Sequence, residues 1–123
     1  MNPLDIDEIN KLSPYKVNKD PLTGYLYFVT KNGIQLVIDF IDDDLIHSAE
    51  CYQLGINNAN NRPSPRDIYV QKTILLIISE FFKKNMSALL YIYAKQATEN
   101  KRPEAAYLHL GLRLTSFQMH LLV

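Results

Sequence analysis

The residue types best suited to chemistry in this sequence are carboxylates gathered behind a strongly β-like run. The cluster of candidate metal ligands comprises Asp39, Asp42, Asp43, Asp44, His47, Glu50 and Cys51. Oxygen ligands suit Mg²⁺ or Ca²⁺, but the spacing matches no calcium-binding loop, and three consecutive acids project in different directions. The pattern therefore favours a solvated turn at the end of a strand over a metal site.

Histidine and cysteine offer no stronger candidate. His47, His109 and His120 include no i, i+4 pair, so a zinc site has no support in the sequence. Cys51 and His47 lie four residues apart without a third group to orient them, which favours a buried structural cysteine over a nucleophile. We predict no catalytic, cofactor-binding or metal-binding residues, and the sequence leans away from an enzyme.

Basic side chains gather in the second half of the chain, which carries a net charge of +5 over residues 61–123, against −5 over residues 1–60. The basic residues singled out are Arg62, Arg66, Lys72, Lys83, Lys84, Lys95, Lys101 and Arg102. The tyrosines interleaved with them are Tyr69, Tyr91, Tyr93 and Tyr107. Such a segment suits contacts to a nucleic-acid backbone and stacking on bases. A solvated helix face is the simpler interpretation, since the whole chain is neutral.

Length and composition bound the class of protein. The chain has 123 residues, of which 47% are hydrophobic, as is typical of one folded domain. We divide it into an N-terminal helix or arm (residues 1–14), a core (residues 15–94) and a divergent tail (residues 95–123). One cysteine allows no internal disulfide, no basic-then-apolar leader opens the chain, and no apolar run approaches the ~20 residues that cross a bilayer. These features predict a cytoplasmic protein without a membrane segment.

The strongest β signal lies in residues 25–30 and 34–40, which flank Lys31-Asn32-Gly33. Asn-Gly between two β-like runs predicts a hairpin with a two-residue type I′ turn. In the second run, one face is predicted to carry Ile34, Leu36, Ile38 and Phe40. Residues 15–17 are predicted to pair with residues 25–29 across a turn at residues 20–24, which makes a three-stranded meander.

Two helices are predicted from capping signals and apolar spacing. The first is expected to start with Asn2 as N-cap and to end before Pro14, and the second with Ser64 as N-cap and Asp67 at N3. The apolar positions of the second helix form two stripes: Val70, Ile74, Ile77 and Phe81, then Ile68, Leu75, Ile78 and Phe82. The residues expected outside are Arg66, Lys72, Thr73, Ser79, Glu80, Lys83 and Lys84.

The remaining segments are assigned more coarsely. Residues 51–54 are predicted to form a strand inside the ambiguous segment 45–56, residues 57–63 a polar loop, and residues 88–94 a central strand covered on both faces. Residues 107–123 fit a strand through alternating leucines, and a helix through Leu110, Leu114, Phe117 and Leu121. The fold class is α+β: an antiparallel β-meander packed by one long amphipathic helix, followed by a further strand and a C-terminal element of unassigned type.

Three segments together resemble a family of small uncharacterised bacterial proteins, mostly from Bacteroidetes. They are Tyr15 with residues 25–33, residues 67–68 with 73–74, and residues 81–85 leading to residues 89–92. The resemblance covers about residues 15–93 and implies a domain without an established activity. Tyr93-Ala94 stand where the family has Cys-Asp, and the tail that follows departs from the family pattern, as in a divergent or truncated end.

We therefore expect a small bacterial protein that acts as a non-enzymatic protein-interaction module, with no cofactor. A protein partner is expected, and the apolar tail, residues 108–123, is a candidate surface for closing a homo-oligomer. The alternative function is nucleic-acid binding or processing by the basic second half.

Overall fold

Residues 1–42, 50–60 and 66–92 are described by the computed structural model of the chain. In chain order, the elements in these residues are α1 (Ile6–Leu12), β1 (Asn18–Lys19), β2 (Leu26–Val29), β3 (Gln35–Asp42), β4 (Cys51–Asn58), α2 (Ile68–Lys84) and β5 (Leu89–Ile92). The strands form one sheet in the order β1-β2-β3-β4-β5. Neighbours from β1 to β4 pair antiparallel, whereas β5 pairs parallel with β4. The α+β class, with a meander packed by one long helix, is confirmed.

The core lies between α2 and one face of the sheet. The predicted β3 face is confirmed, and its side chains join the core cluster: Ile34, Leu36, Ile38 and Phe40. Phe81 of α2 is fully buried, and its ring stacks on the Phe40 ring with centroids 4.7 Å apart. Tyr52 of β4 meets Phe81 edge-on at 5.8 Å, so one aromatic side chain joins the helix to two strands.

The β2–β3 hairpin is present, but its turn differs from the prediction. Thr30 and Ile34 form the closing pair, with the Thr30 N–H donating to the Ile34 carbonyl at 2.9 Å, so the connection has three residues. The Thr30 hydroxyl also accepts from the Asn32 and Ile34 N–H groups at 3.2 Å. Gly33, the glycine of this turn, has a positive φ of 80°. The Thr30 side chain therefore favours a three-residue turn with Gly33 in the left-handed position.

The first strand lies later in the chain than predicted. β1 is Asn18–Lys19 and pairs with Tyr27 and Leu26. Val17 does not join it because the Asn10 side chain takes both Val17 backbone groups, accepting from its N–H at 2.8 Å and donating to its carbonyl at 2.9 Å. The predicted turn over residues 20–24 is present, closed by Gly24 N–H donating to the Asp20 carbonyl at 2.8 Å.

Both helices begin after the predicted N-caps. Asp5 caps α1 by accepting from the Glu8 N–H at 3.2 Å, and Asp67 caps α2 by accepting from the Tyr69 N–H at 2.9 Å. The Asn2 side chain instead donates to the Lys84 carbonyl at 2.9 Å, so it is engaged with the far end of α2. Ser64 lies outside the described residues. Aspartate is as good an N-cap as serine or asparagine, and local sequence alone could not rank the candidates.

Two polar residues predicted on the outside of α2 are buried. Thr73 is fully buried, donates to the Tyr69 carbonyl at 2.8 Å and lies 3.2 Å from the Ser13 hydroxyl. Glu80 is 4% exposed and accepts from the Asp5 N–H at 3.1 Å. The N-terminal arm, residues 1–14, covers this flank of α2, which the helix's own sequence could not reveal.

Of the last two described strands, one departs from its prediction. β4 extends to Asn58, into the predicted loop, because it pairs with β3 as far as Leu36. β5 lies at one end of the five described strands, and the prediction of a central strand stays a prediction because residues 93–123 lie outside the described residues. Residues 43–49 and the whole segment 107–123 lie outside the described residues. Among the helices that the structure describes, none has the length and apolarity to cross a membrane.

Candidate functional site

The exposed side of α2 carries an unexpected row of apolar side chains. Ile68 is 57% exposed and Leu75, seven residues later, is 40% exposed, although both were predicted to face the core. Phe82, a further seven residues on, is half-buried against the core, and Met86 just past the helix end is 75% exposed. Ile68, Leu75 and Phe82 are seven residues apart and Met86 follows four residues later, which places the first three side chains on one line along the helix. We call this line, with the polar positions between, the α2 ridge: Ile68, Lys72, Leu75, Ser79, Phe82 and Met86.

The surroundings of the α2 ridge are basic. Exposed cations on or beside the helix are Arg66, Lys72, Lys83 and Lys84. Glu80 is the one acid between Ile68 and Lys84, and it is buried on the opposite flank. Its carboxylate lies 3.8 Å from the Lys83 ammonium and 3.9 Å from that of Lys84, distances at which pairs with an exposed lysine contribute about 0–1 kcal/mol. The ridge therefore combines apolar side chains with positive charge.

The start of α2 is fixed to the sheet through Asp67. One Asp67 oxygen caps the helix, and the other accepts from the Tyr15 hydroxyl at 2.6 Å. The Tyr15 hydroxyl accepts in turn from the Lys31 N–H at 3.3 Å, and its ring stacks on Phe28 at 5.7 Å. Burial, with the Asp67 hydrogen bond as the second cause, raises the pKa of Tyr15 above its ordinary value of 10.0. A phenol whose pKa is raised is a weaker acid and releases its proton less readily, so this cluster suits structure better than proton transfer.

The end of α2 is fixed to the N-terminal arm. The Asn2 N–H donates to the Asn85 side-chain oxygen at 2.7 Å, and the Asn85 amide donates to the carbonyls of Phe81 at 3.0 Å and Asn2 at 3.3 Å. Asn85 is buried, so these bonds satisfy polar groups that water does not reach. Held at both ends, α2 presents its ridge on a rigid support.

The described members of the acidic cluster do not form a metal site. The Asp39 carboxylate packs against Gly55 of the neighbouring strand, and Asp42 ends β3. Glu50 is exposed and accepts from the Tyr52 hydroxyl at 3.2 Å, while Cys51 is buried in β4. Three members of the cluster lie outside the described residues: Asp43, Asp44 and His47. Within residues 1–42, 50–60 and 66–92, no three His, Cys, Asp or Glu side chains are grouped to hold a metal ion.

The proposed nucleic-acid surface is only partly described. Four of its basic residues, Arg66, Lys72, Lys83 and Lys84, are exposed along α2. Tyr69 is 46% exposed, packs edge-on against Tyr15 at 6.1 Å, and lies 5.9 Å from the Lys31 ammonium. Tyr91 is half-buried on β5. The rest of the set lies outside the described residues: Arg62, Tyr93, Lys95, Lys101, Arg102 and Tyr107. His109 and His120 lie outside them as well.

A small cleft lies beside the N-terminal arm, away from the α2 ridge. Its volume is about 160 Å³, and its lining includes Leu4, Ile6, Leu26, Ile38, Phe40 and Lys19. Ligand and cofactor pockets usually measure roughly 300–1,000 Å³, so this cleft is too small for a nucleotide-sized cofactor.

Comparison of the chain with protein-family models, with curated proteins and with solved structures finds no match. The family resemblance over residues 15–93 therefore stays a prediction, and the functional argument rests on geometry. Sequence reasoning missed the α2 ridge because it assigned Ile68, Leu75 and Phe82 to the face that packs on the core. The heptad spacing of Ile68, Leu75 and Phe82 was the signal that could have separated this line from the buried stripe.

Proposed function

We propose that this protein is a non-enzymatic protein-interaction module whose binding surface is the α2 ridge. The observation that carries the proposal is the exposure of Ile68 and Leu75, 57% and 40%, on one line of a helix held at both ends. Single exposed apolar residues are ordinary on protein surfaces, whereas an aligned row on a rigid element is typical of a surface that a partner covers.

Site-specific photo-crosslinking tests the proposal. A photoreactive residue at position 75 of the full chain is expected to give a discrete protein adduct in cells of the source organism, while the same residue at exposed position 16 gives none. The protein identified in the adduct is then purified and titrated with the full chain. Leu75→Asp is expected to weaken its binding about tenfold or more, because a buried apolar contact is replaced by a charge. No adduct specific to position 75, or full affinity in Leu75→Asp, contradicts the proposal.

A homo-oligomer closed by the apolar tail is a further part of the proposed function, although residues 108–123 lie outside the described part of the chain. Light scattering on the full chain and on a variant without residues 108–123 tests it. A dimer that becomes a monomer on deletion supports this part, and a full chain that is strictly monomeric contradicts it.

Nucleic-acid binding remains the alternative function, favoured by the exposed row of Arg66, Lys72, Lys83 and Lys84. The exposed apolar members of the ridge favour a protein partner, because Ile68 and Leu75 form no favourable contact with charged phosphates. Anisotropy titrations with a DNA duplex and a single strand at increasing salt separate the two functions. Affinity that falls steeply with salt supports nucleic acid, because phosphate contacts release counterions, and absence of binding removes the alternative.

A further inference from the structure

We infer that, given the interaction function proposed above, the α2 ridge binds an acidic amphipathic helix of the partner protein. The positions along the ridge follow one another at intervals of four and three residues from Ile68 to Met86. This is the spacing with which one helix packs along another, as in the recognition of an amphipathic helix by a groove or a helical seam. The partner element that fits such a line is a helix whose own apolar residues repeat at the same interval.

The size of the ridge suits a helix of ordinary length. At 1.5 Å rise per residue, the helical part of the ridge from Ile68 to Phe82 is about 21 Å long, which matches a partner helix of about four turns, and Met86 lies just beyond the end of α2. Leu75 lies near its middle and is 40% exposed, so it is the central apolar anchor that a partner would bury. The anchors at the two ends, Ile68 and Met86, are 57% and 75% exposed.

The charge of the partner follows from the ridge's neighbours. Lys72 lies between Ile68 and Leu75 on the helix surface and is exposed, whereas the Lys83 ammonium lies 3.8 Å from the Glu80 carboxylate. No exposed acid lies on α2 between Ile68 and Lys84, because Glu80 is buried under the N-terminal arm. A partner helix with Glu or Asp beside its apolar line therefore gains complementary charge, whereas a basic helix with the same apolar line meets repulsion.

The support of the ridge makes it a preformed surface. The Asp67 carboxylate caps the start of α2 while bonded to Tyr15, and Asn85 binds the arm at the other end. The opposite face of the helix is locked into the core by Ile74, Ile77 and Phe81. Little ordering of α2 is needed on binding, so the partner helix carries most of the conformational cost.

Two synthetic peptides test the inference. Both carry leucines at alternating intervals of three and four residues, flanked by glutamates in one peptide and by lysines in the other. Anisotropy titrations with the full chain are expected to show about tenfold tighter binding of the acidic peptide at low salt, and a smaller ratio at high salt. Leu75→Asp is expected to abolish binding, and Lys72→Glu to remove the preference for the acidic peptide. The matched controls Leu22→Asp, at a 92% exposed apolar position in a turn, and Lys16→Glu should change neither.

Each outcome decides a separate point. Equal affinity for both peptides, lost in Leu75→Asp, overturns the acidic-helix inference and leaves the interaction function standing. Binding of anionic lipid vesicles or a DNA duplex without binding of the acidic peptide overturns the inference in favour of another polyanion. No binding of either peptide also overturns it, while the crosslinking at position 75 still decides the proposed function.

Discussion

The Tyr15 hydroxyl donates to the Asp67 carboxylate at 2.6 Å, and the other oxygen of the same carboxylate caps α2. The two residues are 52 positions apart in the sequence. One side chain therefore both starts the helix and holds it to the strand hairpin through Tyr15, which stacks on Phe28 and accepts from the Lys31 N–H. The orientation of α2, and with it the α2 ridge, depends on this pair.

Tyr15→Phe is expected to lower the free energy of unfolding by about 1–2 kcal/mol, since a hydrogen bond to a charged acceptor is lost from a half-buried site. Urea denaturation measures the change. Tyr25→Phe, at an exposed position in the β1–β2 turn, is the matched control and should leave stability within about 0.5 kcal/mol of the wild type. An equal effect of both substitutions would show that the Asp67 bond contributes nothing.

Alkaline pH should weaken the fold through Tyr15 and Tyr52. Burial raises the pKa of each hydroxyl above the ordinary value of 10.0, with Asp67 adding to the effect at Tyr15 and Glu50 at Tyr52. Below pH 10 both states keep the proton and the contribution is complete. Above it the unfolded chain loses protons first, so stability falls as pH rises towards the folded pKa.

The measurement for this pH dependence is the free energy of unfolding from pH 7 to pH 11 in the wild type, Tyr15→Phe and Tyr52→Phe. Each substitution should make the alkaline decline shallower. Ile77→Val, which removes a buried methylene without a titratable group, is expected to shift the curve downward without changing its slope. Parallel curves for all four proteins would contradict the prediction.

Glu80→Ala is expected to loosen the N-terminal arm. The carboxylate accepts from the Asp5 N–H at 3.1 Å, and its loss should cost about 1–2 kcal/mol and speed hydrogen exchange over α1 (Ile6–Leu12). Glu80→Gln keeps an acceptor oxygen and should retain most of the protection. Exchange in α1 that is unchanged in Glu80→Ala would show that the arm is held by its other contacts alone.

Gly55→Ala should destabilise the sheet by about 1 kcal/mol, because the added Cβ would collide with the Asp39 carboxylate on the neighbouring strand. Asp39→Ala removes the obstructing group, so the double variant should lose less than the sum of the two single changes. Thermal unfolding of all four proteins gives the coupling. Simple additivity would mean that the Asp39 side chain moves aside without cost.

Local sequence was sufficient where the signal and the structure involve the same few residues. The β2–β3 hairpin was predicted because two β-like runs flank Lys31-Asn32-Gly33, and the alternation along β3 named the face that meets α2. The existence of α2 followed from apolar spacing in the same way. These features depend on neighbours within a turn or a strand.

The errors arose where distant residues decide. Sequence alone places Glu80 and Thr73 on the solvent side of α2, whereas the N-terminal arm covers both in the structure. Val17 was predicted in a strand, but the Asn10 side chain hydrogen-bonds its backbone instead. The candidate functional site was predicted least well, because the α2 ridge is defined by the side chains that the rest of the fold leaves exposed.

The bonds between Asn2 and Asn85 span 83 positions of the sequence. Until α2 has been synthesised in full and has formed its last turn, Asn2 cannot form its hydrogen bonds to Asn85. The Asp5 N–H likewise has no Glu80 carboxylate to accept its hydrogen bond. The N-terminal arm can therefore make these bonds only after α2 has been synthesised and has folded, although the arm precedes α2 by more than 50 residues in the sequence.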